Sequence, residues 1–288
     1  MSNYLTLLRD ALDGELRPSR AGATRGLFDV SLRYDLSDGF PLLTCRPISF
    51  KIALAELRMF LRGETDTHAA LESQGITIWK GNTAATGGEM GPIYGHQLRR
   101  YGAPAGGDGL DTLEDLIRLL IDDPTSRRLI MTTLHMVQAK EAVLYPCHGL
   151  LIQFYVDEIV RGPNGEPVGG RLSVKQTQRS ADIYHGLPYN IASYALLVHI
   201  LCRLVADRTG GRLILRPGHV TLSLGDTHLY ENHVAAATAV LGRGRSAPFP
   251  TLVWTRATPL LCPEDLADLA MDGYTPCREP LPPAPFNP

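Results

Sequence analysis

The chain has 288 residues, 44% of them hydrophobic and 20% charged, with a formal net charge of -2. It is long enough to bury a substantial core as one large domain, residues 1–288, and it carries no overall basic field to attract nucleic acid or an anionic membrane surface. Any phosphate it holds must therefore be held locally.

The N-terminal stretch MSNYLTLLRDALDGE alternates apolar and charged residues at helical spacing, which excludes a signal peptide or membrane span there. Helical periodicity returns over Lys51 to Arg62, stopped by Gly63, and over Thr112 to Ile121, opened by the cap-like DTLED. A fourth helix, Ile191 to Ala206, is apolar almost all round and predicts a buried element, with Asn190 as its N-cap or as a group facing a cavity. Strands are predicted at RLIMTTL, LLIQFYV, RLSVKQT and HVTLSLG, which are rich in β-branched residues and bounded by Gly, Pro or Asp. Separate runs of strands and helices point to an α+β fold rather than regular βαβ alternation. TAATGGEM, YGAPAGGDG and EIVRGPNGEPVGG read as loops, the third as a long hairpin connection, and the proline-rich tail 276–288 as an extended arm or a disordered end.

Five cysteines, at 45, 147, 202, 262 and 277, form an odd set with no C-x-x-C pair. That pattern predicts free thiols in a reducing compartment, the cytoplasm, and argues against a zinc cage. Cys147 stands between a proline and a histidine just ahead of an apolar strand, where a thiol is inert filling unless other groups activate it. Arginines gather at SRR (126–128), at TQRSAD (177–182) and at Arg20 in a small-residue loop; their bidentate forks suit a phosphomonoester. Asn190 can both donate and accept, as a uracil edge requires. His228 and Tyr230 alternate in GDTHLYENH and fall on one side of an extended segment, either as sugar contacts or as satisfied core groups.

The ordered segments ELRMFLRGET, ITIW, GEMGPIYGHQLR, DPTSRR, YPCHG, QRSAD, GLPYNIASYALLVH and GDTHLYENH resemble the thymidylate synthase family over nearly the whole chain, from Asn3 to Tyr274. The resemblance implies the family's fold, a mixed sheet with packed helices whose sheet face makes a homodimer. It implies Cys147 as a nucleophile toward C6 of a pyrimidine nucleotide, dUMP, with 5,10-methylenetetrahydrofolate as co-substrate and no metal. Arg179 is then the cation beside the sulfur and a phosphate ligand, together with Arg20, Ser180, and Arg127 and Arg128 reaching in from a partner subunit. Glu56 is the proton-shuttling carboxylate, Tyr94 the group that helps remove the C5 proton, and His148 part of an ordered-water network. Asn190 reads the pyrimidine, and His228 and Tyr230 hold the sugar hydroxyl. Asp182, Trp79 and Gly186 belong to the folate side.

Departures from the family pattern fall mainly on that folate side. Asn82 stands where a second tryptophan is usual, and Leu134 and His135 replace Trp and Asn. CRPISFK keeps Arg46 and Lys51 but inserts Pro47, which points to altered polyglutamate binding, and PLPPAPFNP replaces the usual closing segment. The reaction branches late: hydride gives a methyl group and water gives hydroxymethyl, so site dryness decides the product. Asn82, with His135 nearby, favours 5-hydroxymethyl-dUMP by a small margin over reductive methylation to dTMP. A non-catalytic nucleotide- or RNA-binding paralogue is the minor alternative, opposed by the joint presence of Cys147, Glu56, Tyr94, Arg179 and Asn190.

Overall fold

The computed structural model describes residues 2–104, 107–244 and 246–287. In chain order the elements are α1 (Ser2–Leu12), β1 (Glu15–Arg17), β2 (Thr24–Leu27), β3 (Val30–Asp35), α2 (Phe50–Arg62), α3 (Thr67–Ala70), α4 (Lys80–Thr83), α5 (Gly95–Arg99), α6 (Thr112–Asp122), β4 (Ile130–Met131), β5 (Leu151–Arg161), β6 (Pro167–Asp182), α7 (Gly186–Arg208), β7 (Ile214–Tyr230), α8 (Val234–Gly242), β8 (Thr251–Trp254) and β9 (Leu269–Asp272). A mixed seven-stranded sheet runs β1-β2-β7-β6-β5-β4, with β3 pairing β7 as well. Only β6 and β7 are parallel, and the helix between them, α7, makes the crossover that a parallel pair needs. The arrangement is α+β, as the run-wise separation of elements implies.

The four predicted helices are present, with informative ends. Gly63, at φ 71°, closes α2 in the left-handed region, and its N–H donates to Phe60 O at 3.0 Å. Asp111 caps α6 by accepting from Glu114 N at 2.9 Å. Helix α7 begins at Gly186, earlier than its apolar run, so Asn190 lies inside the helix and is not its cap. Asp182 serves that entry instead: its Oδ1 accepts from Tyr184 N and His185 N at 2.8 and 3.1 Å. By length and composition α7 could cross a bilayer, yet 78% of its most apolar window is buried within the fold. Its apolar surround is met by the sheet on one side and by α2 and α6 on the other.

Strands differ more from expectation. RLIMTTL contributes only Ile130 and Met131, because the threonine hydroxyls bend the chain: Thr132 Oγ1 donates to Leu150 O at 2.7 Å and Thr133 Oγ1 to His148 O at 2.7 Å. Conversely, β5 and β6 extend into the predicted hairpin loop, with a register shift after Asp157 and Glu158 at φ 49°. QRSAD and GDTHLY lie within β6 and β7, not after them. The β8–β9 ribbon and the short strands β1 and β2 carry no clear alternation, whereas VSLRYD of β3 does alternate, with Leu32 and Tyr34 buried between the exposed Ser31 and Arg33. Of the glycine-rich loop 101–109, residues 105 and 106 lie outside the described residues.

One face of the sheet is covered by helices. On the other, Leu151 and Tyr155 of β5 are 43% and 63% exposed and Ile130 of β4 is 49% exposed, while Ile152, Phe154 and Val156 point into the core.

Candidate active site

A cleft of about 600 Å³ opens between α2, α4, the N-terminus of α7 and the ends of β6 and β7. Its walls include every predicted site residue except Arg127 and Arg128: Cys147, Glu56, Tyr94, His148, Arg179, Arg20, Ser180, Asn190, His228, Tyr230, Trp79, Asn82, Asp182 and Gly186. Arg127 and Arg128 are exposed on the turn leading into β4, away from this cleft.

Cys147 is half-buried on the loop before β5. Arg179, at the end of β6, spreads its guanidinium over that loop, donating to Tyr145 O at 2.6 Å, Pro146 O at 3.0 Å and Cys147 Sγ at 3.5 Å. Cys147 N donates to the Tyr94 hydroxyl at 2.8 Å. Burial pushes the thiol up, and the Arg179 charge and the Tyr94 hydrogen bond pull it back only in part. The arginine is thus where an activating cation belongs, but burial outweighs it and keeps the thiol protonated in the free site.

Tyr94 sits at φ 46°, ψ -108°, a strained conformation for a residue with a Cβ, just before α5. Its ring stacks on Phe60 of α2 at 4.9 Å. The close approach is possible because a Cβ on Gly95 would stand 2.9 Å from both Phe60 Cα and Phe60 O. Burial raises the Tyr94 phenol well above its usual range, so it stays neutral.

Glu56 is buried on α2 and accepts from the Trp79 indole at 2.8 Å. Burial lifts its carboxyl to about 7, against the smaller opposing effect of that hydrogen bond, which puts its proton within reach of exchange near neutrality. His148 is buried, pairs with the Tyr194 hydroxyl at 2.9 Å through Nδ1, and is pushed by burial down to about 4, so it is a neutral imidazole. Gly149, at φ 72°, lets the chain leave the Cys147 loop where a Cβ would lie 2.7 Å from Tyr194 Oη.

A head-to-tail amide chain orients Asn190. Gly149 N, which can only donate, bonds Gln176 Oε1 at 3.1 Å; Gln176 Nε2 bonds Gln178 Oε1 at 3.1 Å; and Gln178 Nε2 bonds Asn190 Oδ1 at 3.0 Å and Ser180 O at 2.9 Å. Donor-only and acceptor-only backbone groups at the two ends fix every amide, so Asn190 turns its NH2 away from Gln178. Gln176 and Gln178 were not singled out from sequence; two glutamines at alternate inward positions of a buried strand were the available signal.

His228 and Tyr230 do project from β7 to one side, their rings edge-to-face at 5.2 Å, with His228 Nδ1 2.8 Å from Asp226 Oδ1. Pairing of β2 with the last residues of β7 brings the loop bearing Arg20 alongside them. The tail is an extended arm: Ala284 O and Pro285 O meet His185 and His233 at 2.9 and 2.6 Å, which leaves Phe286 and Asn287 in the cleft wall.

One expectation about the folate side changes, and two cations lie away from the cleft. His135 does not line the cleft; its ring packs edge-on against Tyr101 at 5.5 Å, and Leu134 is likewise outside the wall. Arg46 is buried, its guanidinium 4.3 Å over the Tyr184 ring and bonded to Tyr184 O. Lys51 is exposed beside Gln74 O at 3.4 Å, so neither cation faces the cleft. Asn82 and Trp79 do face it.

Comparison with known protein families matches residues 2–281 to thymidylate synthase. With the match spanning nearly all of its length, the chain belongs to the thymidylate synthase family.

Proposed function

We propose that the cleft transfers a one-carbon unit to C5 of dUMP through a covalent bond between Cys147 and C6, and that the product is 5-hydroxymethyl-dUMP. Family membership supports the coarser statement, folate-dependent C5 transfer to dUMP with methylenetetrahydrofolate as co-substrate. The observation that carries the transfer itself is the convergence on one cleft of a thiol 3.5 Å from a guanidinium, a carboxyl poised near neutrality and an oriented amide, while the choice of product rests on Asn82 in the wall.

In this reading Arg20, Arg179 and Ser180 hold the phosphate, and His228 and Tyr230 the sugar hydroxyl. Asn190 donates to O4, which a cytosine amino group cannot accept. The Cys147 sulfur forms its bond to C6 and raises electron density at C5, which then bonds the one-carbon unit. Glu56 delivers a proton to the pyrimidine O4 side or the folate, and His148, uncharged, contributes a hydrogen bond to the water network rather than a charge. A water held by the Tyr94 oxygen takes the C5 proton and passes it to solvent, since a phenol that stays neutral orients the base and is too weak a base to keep the proton itself. Asp182 keeps Oδ2 free of hydrogen bonds among the described residues, a fit for the N–H donors of a pterin, and Trp79 and Gly186 flank it. The co-substrate supplies the one-carbon unit and, for methylation, a hydride.

Once the bond between the transferred carbon and the folate nitrogen has broken and the C5 proton has left, C5 carries an exocyclic methylene; water adds to it as hydroxide, its proton passing to solvent, while the Cys147 sulfur leaves C6 as thiolate and the C5–C6 double bond re-forms. The polar amide of Asn82 in the wall supports that branch, now without help from His135. Phe286 favours the second reading, reductive methylation to dTMP, because the tail places an apolar ring in the same wall. Arg127 and Arg128, with the uncovered apolar face of β4 and β5, support a homodimer whose arginines complete the partner's site; the cytoplasm remains the proposed location. Incubation with dUMP and methylenetetrahydrofolate, followed by absorbance and nucleotide mass spectrometry, tests the reading. Hydroxymethyl-dUMP without dihydrofolate is the expected result, dTMP in step with dihydrofolate would establish the second reading, and turnover of neither would overturn both.

A further inference from the structure

A second pocket, of about 420 Å³, shares no wall with the cleft. It is lined by the stripe of α2 that carries Arg58 and Arg62, by the turn 63–66 and by Arg100. Arg58 and Arg62 are four residues apart and lie on one helical face, whereas Glu56 is about 200° around the helix from Arg58. The helix therefore presents its carboxyl to one cavity and its guanidinium groups to another.

The charges in this pocket do not cancel. Arg62 lies 3.6 Å from Glu64, and Asp66 is committed as the cap of α3, accepting from His68 N and Ala69 N at 2.9 and 3.1 Å. Arg100 donates to Gly63 O at 2.9 Å and has no carboxylate partner among the described residues. Arg58 makes no hydrogen bond or ion pair among the described residues, and its Nε is buried without a partner. A guanidinium that gives up water for no acceptor is a cost, unless an acceptor arrives with a ligand. Arg58, facing the same cavity as the exposed Arg100, which donates to Gly63 O, matches a tetrahedral phosphate, which takes the fork of one arginine and single bonds from another.

We propose that this pocket is a second anion site that takes a small phosphate-bearing metabolite, its phosphate on Arg58 and Arg100 and its hydroxyl groups toward Glu64 and Asp66. The site does not depend on the reaction carried out in the cleft. Titration of the full chain with inorganic pyrophosphate by calorimetry tests it, in the wild type, in Arg58→Gln and Arg100→Gln, and in the cleft variant Arg20→Gln/Ser180→Ala. The expected result is a site retained in the cleft variant and weakened by about tenfold in each of Arg58→Gln and Arg100→Gln, with affinity falling as salt is raised. Circular dichroism and the melting temperature check that each variant is folded, and the two single-arginine variants lie on different elements, so a folding defect in one leaves the other decisive. Absence of binding to the wild type, or binding lost in the cleft variant and intact in Arg58→Gln and Arg100→Gln, would overturn the proposal.

Discussion

Cys147 and Arg179 show how one contact can serve opposed demands. The guanidinium lowers the thiol while burial raises it, and burial dominates before substrate arrives. Alkylation of Cys147 should therefore keep accelerating with pH beyond the ordinary thiol range. Arg179→Gln, by removing the opposing charge, should slow it by about tenfold at fixed pH near neutrality, measured with a thiol reagent and protected by dUMP. An unchanged rate would mean that the arginine does not set the thiolate population. The amide chain makes a second prediction of the same scale. Gln176→Leu leaves Gly149 N and Gln178 Oε1 without partners and Gln178 anchored at its Ser180 end alone, so the KM for dUMP should rise by about tenfold while dCMP is rejected less strictly. Competition between the two nucleotides measures this directly, and Gln176→Glu, which keeps the acceptor but loses the donor, should restore only part of the discrimination.

Among the elements, α2 and α5 place Glu56 and Tyr94 in the cleft wall. Gly95 lets α5 pack against the Phe60 backbone, which in turn holds Tyr94 in its strained conformation and next to the Cys147 loop. Gly95→Ala should cost about 2 kcal/mol of stability by overpacking, read from urea midpoints, and should lower kcat more than the KM for dUMP. The tail acts at the same scale. Its carbonyls are tied to His185 and His233, which keeps Phe286 and Asn287 at the cleft rim. Asn82→Trp should shift product from hydroxymethyl toward methyl, whereas Phe286→Ala should shift it toward hydroxymethyl; mass spectrometry of the nucleotide product distinguishes the two, and a product ratio insensitive to both would remove the wall from the argument.

For the whole molecule, stability should depend on pH through Glu56. Its carboxyl has an ordinary value of 4.5 and is lifted to about 7 in the fold. Between those values the native state keeps a proton that the unfolded chain has lost, so stability falls as pH rises through the window, by on the order of 3 kcal/mol in all. Glu56→Gln should remove that slope in chemical denaturation from pH 4.5 to 7, and should nearly abolish turnover. Assembly is the other property of this scale. If Arg127 and Arg128 complete the partner's cleft, mixing Cys147→Ser with Arg127→Gln/Arg128→Gln should recover activity that neither variant has alone, since a mixed dimer contains one intact cleft. No recovery after subunit exchange would place both arginines outside the site.

Much of this was legible before folding. Hydrophobic period located α1, α2, α6 and α7, because a helix that buries one face or all of them must write that burial into residue spacing. The motifs around Cys147, Arg179 and Asn190 marked residues that the fold brings into one cleft. Local period could not say that threonine hydroxyls would cut RLIMTTL to two strand residues, that α7 would start early enough to take Asn190 inside it, or that His135 would turn to Tyr101. Those outcomes depend on partners far along the chain. The sequence by itself determined which chemical groups are present and which faces are apolar; only the tertiary structure decided their surroundings, and with them the raised carboxyl of Glu56, the neutral His148 and the unpartnered Arg58, because desolvation and hydrogen-bond supply are properties of neighbours in space.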